Sequence, residues 1–117
     1  MNEAAGAGVE YHDEVGVVKV AGEVDIIQAH ALRGRLLGAV RNQDLGLVID
    51  LSEATYIDSV GVSLLFELAE RLGERQLRLA VVLPEDGLVE RVLMMVDLRS
   101  VAEVRPTVDA ALSAISQ

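Results

Sequence analysis

The sequence predicts an α/β fold: a single domain with a mixed β-sheet of about four to five strands and about four helices. Two observations lead to this prediction. Apolar residues alternate over residues 9–20, as in a β-hairpin, and after it short apolar runs alternate with segments of helical periodicity. The 117 residues are also enough for one core, in which roughly two thirds of the unfolded surface becomes buried. Strands joined by helical crossovers lie parallel, so an antiparallel hairpin with parallel neighbours follows.

The first half of the chain contains the hairpin, a helix and a central strand. Residues 1–8 are small and polar, so we expect a flexible N-terminus followed by a folded domain over residues 9–117. Asp25 and Gln28 have the spacing of a capping box, which predicts a helix start. The predicted elements are strands at 9–12 and 15–20, a helix at about 26–41 and a strand at 45–51.

The second half of the chain alternates helix and strand. A helix over about 59–72 is expected to end at Gly73, since glycine is common just after the last helical residue. In the helix at about 26–41, Gly34 and Gly38 lie on one side and lower the helix propensity, which favours close packing of another element there. The remaining elements are a strand at 77–83, a helix at 88–96, a short strand at 101–104 and a closing helix from about residue 108.

Composition and charge exclude several classes of function. The formal net charge of −9 argues against nucleic acid binding, which needs a basic surface, and leaves basic protein partners or simple solubility. The chain has no cysteine, so disulfides and thiolate metal sites are excluded, which fits a reducing compartment. The first residues do not resemble a signal peptide, and no apolar run reaches the ~20 residues of a transmembrane helix. We therefore expect a cytoplasmic protein without membrane insertion.

The segment with the most specific chemistry is the turn at Asp58 and Ser59. It follows an apolar strand and a short polar loop, and it begins the helix at 59–72. At a helix N-terminus the backbone N–H groups are unpaired and the helix dipole is positive, so an anion is stabilised there. A serine at this position therefore suits reversible phosphorylation. The alternative is that Asp58 or Ser59 is only the N-cap of the helix, since both residue types are favoured at that position.

Two further features of this helix favour a contact with another molecule. Gly61 lies in the first turn and leaves the backbone open to close approach. The apolar arc of the helix, extended by Val62 and Phe66, approaches ~200°, whereas a stripe just over ~100° suffices for core packing. Either a neighbouring element covers Val62 and Phe66, or part of this face meets another protein.

Five segments of the sequence, taken in order, match a known family. They are residues 22–25, 47–52, 58–62, 89–93 and 107–112, and the match with its gaps spans roughly residues 9–115. Together they make the chain resemble a stand-alone STAS domain of the anti-sigma-factor antagonist type. The resemblance implies a mixed sheet with its helices mainly on one face. At position 60 the family often has a small residue, where this chain has Val60.

The resemblance also implies a function and a site. Ser59 corresponds to the serine phosphorylated by a partner that is both an anti-sigma factor and a serine kinase of the histidine-kinase-like ATPase type. The unphosphorylated form is then expected to bind this anti-sigma factor and to release a sigma factor. Phosphorylation of Ser59 abolishes binding, and a serine phosphatase reverses the modification. The resemblance places Asp25 and Asp58 near the acceptor. With the start and the apolar face of the helix, the residues expected to contact the partner are Asp25, Asp58, Val60, Gly61, Val62 and Phe66.

Two enzyme-like alternatives lack the residues they need. A receiver domain, phosphorylated on aspartate, requires a lysine after its last strand, but the single lysine lies in an early strand. Asp50 is better explained as a strand-end carboxylate that accepts N–H hydrogen bonds. A serine hydrolase requires a histidine base near Ser59, and the two histidines are His12 in the hairpin and His30 in the first helix. We therefore expect no enzymatic activity, no metal and no cofactor.

Two non-enzymatic alternatives stay open. In the first, the domain is a scaffold subunit of a signalling assembly, with Thr55 as a possible second phosphosite. In the second, it is a soluble STAS subunit of a membrane transporter, with Ser59 present but no kinase. A neighbouring gene for a histidine-kinase-like ATPase would favour the phospho-switch, and one for a permease would favour the transporter subunit.

Overall fold

The computed structural model describes residues 8–117, which form one mixed β-sheet of five strands, four α-helices and a short 3-10 helix. The strand order is β1-β2-β3-β4-β5; β1 is antiparallel to β2, and the other neighbours are parallel. This confirms the predicted α/β fold. The elements are β1 (Gly8–His12), β2 (Val15–Val24), α1 (Ile26–Gly38), β3 (Gly46–Ile57), α2 (Ser59–Glu74), β4 (Arg78–Val82), α3 (Leu88–Met95), the 3-10 helix (Leu98–Ser100), β5 (Glu103–Arg105) and α4 (Val108–Ser116).

The two faces of the sheet are covered unequally. Alternate residues of each strand point to opposite faces, so every central strand contributes to two cores. The larger core joins one face of the sheet to α1, α2 and α3, with Leu36, Leu68 and Leu93 as buried members of the three helices. On the opposite face, Val48 and its neighbours pack against α4 through Ile115. Three of the four helices in residues 8–117 thus lie on one face, as the resemblance implied.

The strand β3 is longer than predicted. Residues 52–57, expected to form a loop, continue the strand and pair with β2, which itself extends to Val24 instead of ending near residue 20. Ladder hydrogen bonds join backbone groups and do not require apolar side chains. β4 pairs with β3 only as far as Asp50, so beyond it β2 and β3 form a two-stranded ribbon, in which most of residues 52–56 of β3 are exposed. This ribbon brings both strands to the starts of α1 and α2.

The predicted end of α2 at Gly73 is wrong. The helix continues to Glu74 and closes in a Schellman motif, in which Leu77 N donates to Leu72 O at 2.8 Å and Gln76 N donates to Gly73 O at 3.0 Å. Gln76 has the positive φ of 60° that glycine usually supplies at this position. The helix therefore stops where Leu77 packs against the core at the entry to β4, and not at the glycine.

Smaller differences concern the element ends. α1 stops at Gly38, earlier than the predicted residue 41. The last strand begins at Glu103 because the residues before it include the 3-10 helix. The predicted flexible N-terminus lies outside the described residues except for Gly8, which begins β1.

Gly61 packs directly against the end of β2. A β-carbon at this position would collide with the carbonyl oxygen of Val24 and would lie 2.8 Å from Cγ1 of Ile57. Gly61 is therefore buried, and it allows the first turn of α2 to approach the sheet. The prediction that Gly61 leaves the backbone open to another molecule is wrong. The close packing expected at Gly34 and Gly38 is also wrong, because a β-carbon placed at either would have no heavy atom of another element of the described chain within 4 Å.

Gly61→Ala should lower the melting temperature, because the new methyl group forces the first turn of α2 away from Val24. We expect a loss of about 1–3 kcal/mol in the free energy of unfolding. Gly73→Ala is the matched control: it lies in the same helix with open space around its β-carbon, and it should gain about 0.5–1 kcal/mol. Urea and thermal unfolding measure both variants, and effects of the same sign and size would contradict the close approach.

Candidate functional site

The carboxyl ends of β2 and β3 bring Asp25 and Asp58 together. Each aspartate directly follows its strand and has the extended backbone of an N-cap, with φ −124° and ψ −177° for Asp25 and φ −106° and ψ −175° for Asp58. Asp58 N donates to the carbonyl oxygen of Val24 at 3.2 Å, which continues the pairing of the two strands. Because the strands are parallel, the helices that follow them begin at the same edge of the sheet.

The carboxylate of Asp58 caps both helices. Its Oδ1 accepts hydrogen bonds from the N–H groups of Val60 and Gly61, each at 3.0 Å, in the first turn of α2. Its Oδ2 accepts a hydrogen bond from the N–H of Ile26 at 3.1 Å, at the first residue of α1. One side chain therefore fixes the start of α1 against the start of α2.

Asp25 caps only one helix, α1. Its Oδ1 accepts hydrogen bonds from the N–H groups of Ile27 and Gln28, both at 3.1 Å, so the predicted helix start at Asp25 is confirmed. A carboxylate at a helix N-terminus is also stabilised by the helix dipole. The two aspartates together place two negative charges at one edge of the sheet.

Ser59 is the first residue of α2, and its side chain is exposed. The N-cap is Asp58, so the capping role that the sequence left open between the two residues does not belong to Ser59. Its hydroxyl lies at the positive end of a 16-residue helix, next to a capping carboxylate. This arrangement leaves the serine hydroxyl accessible at the N-terminus of α2.

The other residues predicted to contact a partner differ in exposure. Val60 is exposed to 36%, directly after Ser59. Gly61 is buried against β2, as described above. Val62 and Phe66 are half-buried and pack against the larger core, so the domain itself covers much of the wide apolar arc of α2. Of the predicted set, Val60 and the two capping aspartates reach the surface around the serine.

The sequence reasoning missed two apolar residues at this surface. Ile26 and Ile27 form the first turn of α1 and are exposed to 66% and 79%. A signal for them exists in the sequence: the buried stripe of α1 consists of Ala29, Leu32 and Leu36, and neither isoleucine belongs to it. The first turn also contains no acidic residue, although acidic residues are favoured there.

An ion pair joins α1 to α2 farther along the two helices. Nε and Nη2 of Arg33 lie 2.8 and 2.7 Å from Oε2 of Glu67, and Nε of Arg71 lies 3.2 Å from the same oxygen. The hydrogen bond from Arg33 holds the pKa of Glu67 below its usual value of 4.5, and the same contact raises the pKa of Arg33. Between this ion pair and Val60, a groove of about 340 Å³ runs between α1 and α2 and is open to solvent.

The rest of the described chain adds little further chemistry. Asp50 is buried, and its Oδ1 accepts a hydrogen bond from the N–H of Ser52 at 2.9 Å. The predicted N–H hydrogen bond is present, but the predicted place at a strand end is wrong, because β3 continues past Asp50 to Ile57. Thr55 is exposed within β3. Among residues 8–117, no group of three or more histidine or carboxylate side chains is placed to hold a metal ion. None of the helices in these residues is long and apolar enough to cross a membrane.

Asp58→Asn should separate the two capping roles of Asp58. The amide keeps one oxygen for α2, but its NH₂ group cannot accept the hydrogen bond of Ile26, so the free energy of unfolding should fall by about 1 kcal/mol. Asp25→Asn is the matched control: this cap uses a single oxygen, and asparagine is a comparably good cap, so the change should stay within about 0.5 kcal/mol.

Amide hydrogen exchange followed by NMR gives a second readout of the same prediction. The amide of Ile26 should exchange faster in Asp58→Asn than in the parent, and at the parent's rate in Asp25→Asn. Only the first substitution removes the carboxylate oxygen that accepts the hydrogen bond of this amide. Equal stability losses in the two variants, with an unchanged Ile26 amide, would show that Asp58 does not join the two helices.

Comparisons with known proteins place this site in a family context. The STAS domain family matches residues 7–111 of the chain. A solved anti-sigma factor antagonist from Mycobacterium paratuberculosis is 34% identical, with a TM-score of 0.84; the alignment covers 95% of this chain and 93% of that protein. The anti-sigma factor antagonist SpoIIAA, solved in its unphosphorylated form, shares the fold at 17% identity, with a TM-score of 0.66 over 94% of each chain.

A characterised relative is similar over a shorter stretch. The anti-sigma-F factor antagonist RsfB of Mycobacterium tuberculosis is 36% identical over 63 residues, which are 54% of this chain and 52% of RsfB. The chain therefore spans about half the length of the curated relatives it matches. The match of the family over residues 7–111, together with the five-stranded mixed sheet, identifies the chain as a member of the STAS domain family.

Proposed function

We propose that this chain is an anti-sigma-factor antagonist that acts as a phospho-switch on Ser59. The unphosphorylated form binds an anti-sigma factor and thereby releases a sigma factor, and phosphorylation of Ser59 abolishes this binding. The observation that carries the proposal is the position of Ser59: exposed at the first residue of α2, directly after the carboxylate that ties α2 to α1. The names of the relatives, anti-sigma factor antagonists at 34% and 36% identity, support the same function.

Electrostatic repulsion explains how the phosphate acts. It adds about −1.5 to −2 charge next to Asp58. The N–H groups that would attract it locally already donate to Asp25 and Asp58, so the new charge faces outward toward the partner. A partner carboxylate at ~6 Å, in an effective dielectric of ~40–80, then contributes roughly 1–3 kcal/mol of repulsion. This corresponds to about a ten- to hundredfold loss of affinity, without refolding of the domain.

The proposed partners follow from this switch. The anti-sigma factor is also the serine kinase, of the histidine-kinase-like ATPase type, and a serine phosphatase restores the binding form. The chain itself supplies the hydroxyl and not the catalyst, so we propose that it is not an enzyme. The net charge of −9 favours partners with basic surfaces and disfavours nucleic acid. We propose that the exchange takes place in the cytoplasm, where ATP and sigma factors are found.

Phosphorylation should occur on Ser59. The histidine-kinase-like serine kinases encoded in the source genome, purified one by one, are incubated with the chain and Mg-ATP, and mass spectrometry locates the phosphate. We expect one kinase to modify the parent on Ser59 and to leave Ser59→Ala unmodified. Phosphate on Ser52, Thr55 or Ser63 with Ser59 intact would contradict the proposal, as would the absence of phosphorylation by every kinase tested.

The charge at Ser59 should control binding of the same kinase. Calorimetry with Mg-ADP is expected to give Ser59→Ala the affinity of the parent, and Ser59→Asp about tenfold less, because one negative charge replaces the phosphate. Ser113→Asp is the matched control: it adds the same charge at an exposed position of α4, on the opposite face of the sheet, and should bind like the parent. Equal affinities of Ser59→Asp and Ser113→Asp would mean that Ser59 lies outside the interface.

A further inference from the structure

Ile26 and Ile27 form an apolar surface that the fold does not use. Their exposed fractions of 66% and 79% are high for isoleucine at the start of a helix whose buried stripe lies elsewhere. Single exposed apolar side chains are ordinary on protein surfaces, and Met95, exposed to 85%, is another example here. The position of the two isoleucines distinguishes them, because they lie at the same sheet edge as Ser59.

The backbone beneath both isoleucines is fixed by the two capping aspartates. Asp58 accepts the hydrogen bond of the Ile26 N–H, and Asp25 accepts that of the Ile27 N–H, each at 3.1 Å. The first turn of α1 is therefore held against the first turn of α2. A partner that buries these side chains orders little additional backbone, and this preorganisation favours affinity.

The apolar surface continues into the groove between α1 and α2. Ile26 and Val60 line one end of this groove of about 340 Å³, with Ala29 and Leu64 at its base. The ion pair between Arg33 and Glu67 lines the other part. We call Ile26, Ile27 and Val60 the anchor surface; it offers two projecting side chains beside a concave groove.

The charges around the anchor surface are mostly negative. Asp25 and Asp58 flank it, and Glu23 is exposed at the end of β2, one residue before Val24. The cations of the adjoining elements are engaged: Nζ of Lys19 lies 2.8 Å from Glu53, and Arg33 is paired with Glu67. A complementary surface therefore carries an apolar pocket with cationic side chains at its border.

We propose that Ile26 and Ile27 are the apolar anchor by which this chain docks to its partner. The partner is a protein that presents an apolar pocket for the two isoleucines. Arginine or lysine side chains border this pocket on the α1 side, facing Asp25 and Glu23, and the partner carboxylate that repels the phosphate faces Ser59 on the α2 side. This inference rests on the proposed function, for which it supplies the surface and the chemistry of the anti-sigma factor. On this proposal, the two isoleucines contribute, together with Ser59, to the choice of the anti-sigma factor that is bound.

The test compares two variants of matched chemistry. In the double variant Ile26→Ala/Ile27→Ala, the anchor is truncated; in Met95→Ala, a comparably exposed apolar side chain is truncated at the C-terminal end of α3. Alanine is the better helix former, so both variants should keep the melting temperature of the parent. Calorimetry with the purified serine kinase that modifies Ser59, in Mg-ADP, measures the affinities, and sedimentation velocity measures self-association.

We expect the double variant to bind the kinase at least about tenfold more weakly, and Met95→Ala to bind like the parent. Affinity of the double variant within twofold of the parent would overturn the anchor while leaving the phospho-switch intact, because the parent still binds and is phosphorylated on Ser59. A parent dimer that the double variant abolishes would assign the surface to a second copy of the chain, and would also overturn the anchor. If no such kinase binds or modifies the parent, the proposed function fails and the anchor with it.

Discussion

The site depends on one carboxylate shared between two helices. Asp58 can reach the Ile26 N–H only because β2 and β3 stay paired to their ends, with Val24 opposite Ile57, so that both chains leave the sheet at one point. Gly61 then lets α2 begin in contact with the Val24 carbonyl, at a distance that any side chain would prevent. The parallel pairing of β2 and β3, Gly61 and Asp58 therefore act together. They fix the position of Ser59 relative to the first turn of α1.

The parts of this arrangement that depend on local chemistry could be predicted from the sequence. The helix start at Asp25 follows from its spacing to Gln28, and a cap at the Asp58 turn follows from residue type. The parts that depend on distant partners could not. The polar half of β3 is a strand because the β2 backbone pairs with it, and α2 passes Gly73 because Leu77, four residues on, packs against the core. The shared cap joins residues 32 positions apart, a separation that no local pattern reports.

The shared cap also decides between two ways in which a phosphate on Ser59 could act. A phosphate could displace Asp58 and rebuild the helix start, or it could leave the cap in place and repel the partner. Displacement breaks three hydrogen bonds of the carboxylate, each worth roughly 1 kcal/mol or more, and frees the start of α1. The displaced carboxylate would also remain close to the phosphate. Outward repulsion requires none of these losses, so it is the favoured mechanism.

Separation of the anchor from the phosphate gives each a different physical role. Burial of isoleucine side chains involves no charge and contributes free energy in proportion to the apolar area removed from water. A charge at the edge of an apolar contact acts mainly on the rate of encounter and on discrimination between partners. With Ile26 and Ile27 on α1 and Ser59 on α2, the proposed phosphate adds electrostatic repulsion to the complex while the apolar contact itself stays the same. In the proposed switch, the phosphate therefore opposes binding by its charge alone, and binding returns when the phosphate is removed, because the aspartates keep the first turn of α1 in place in both forms.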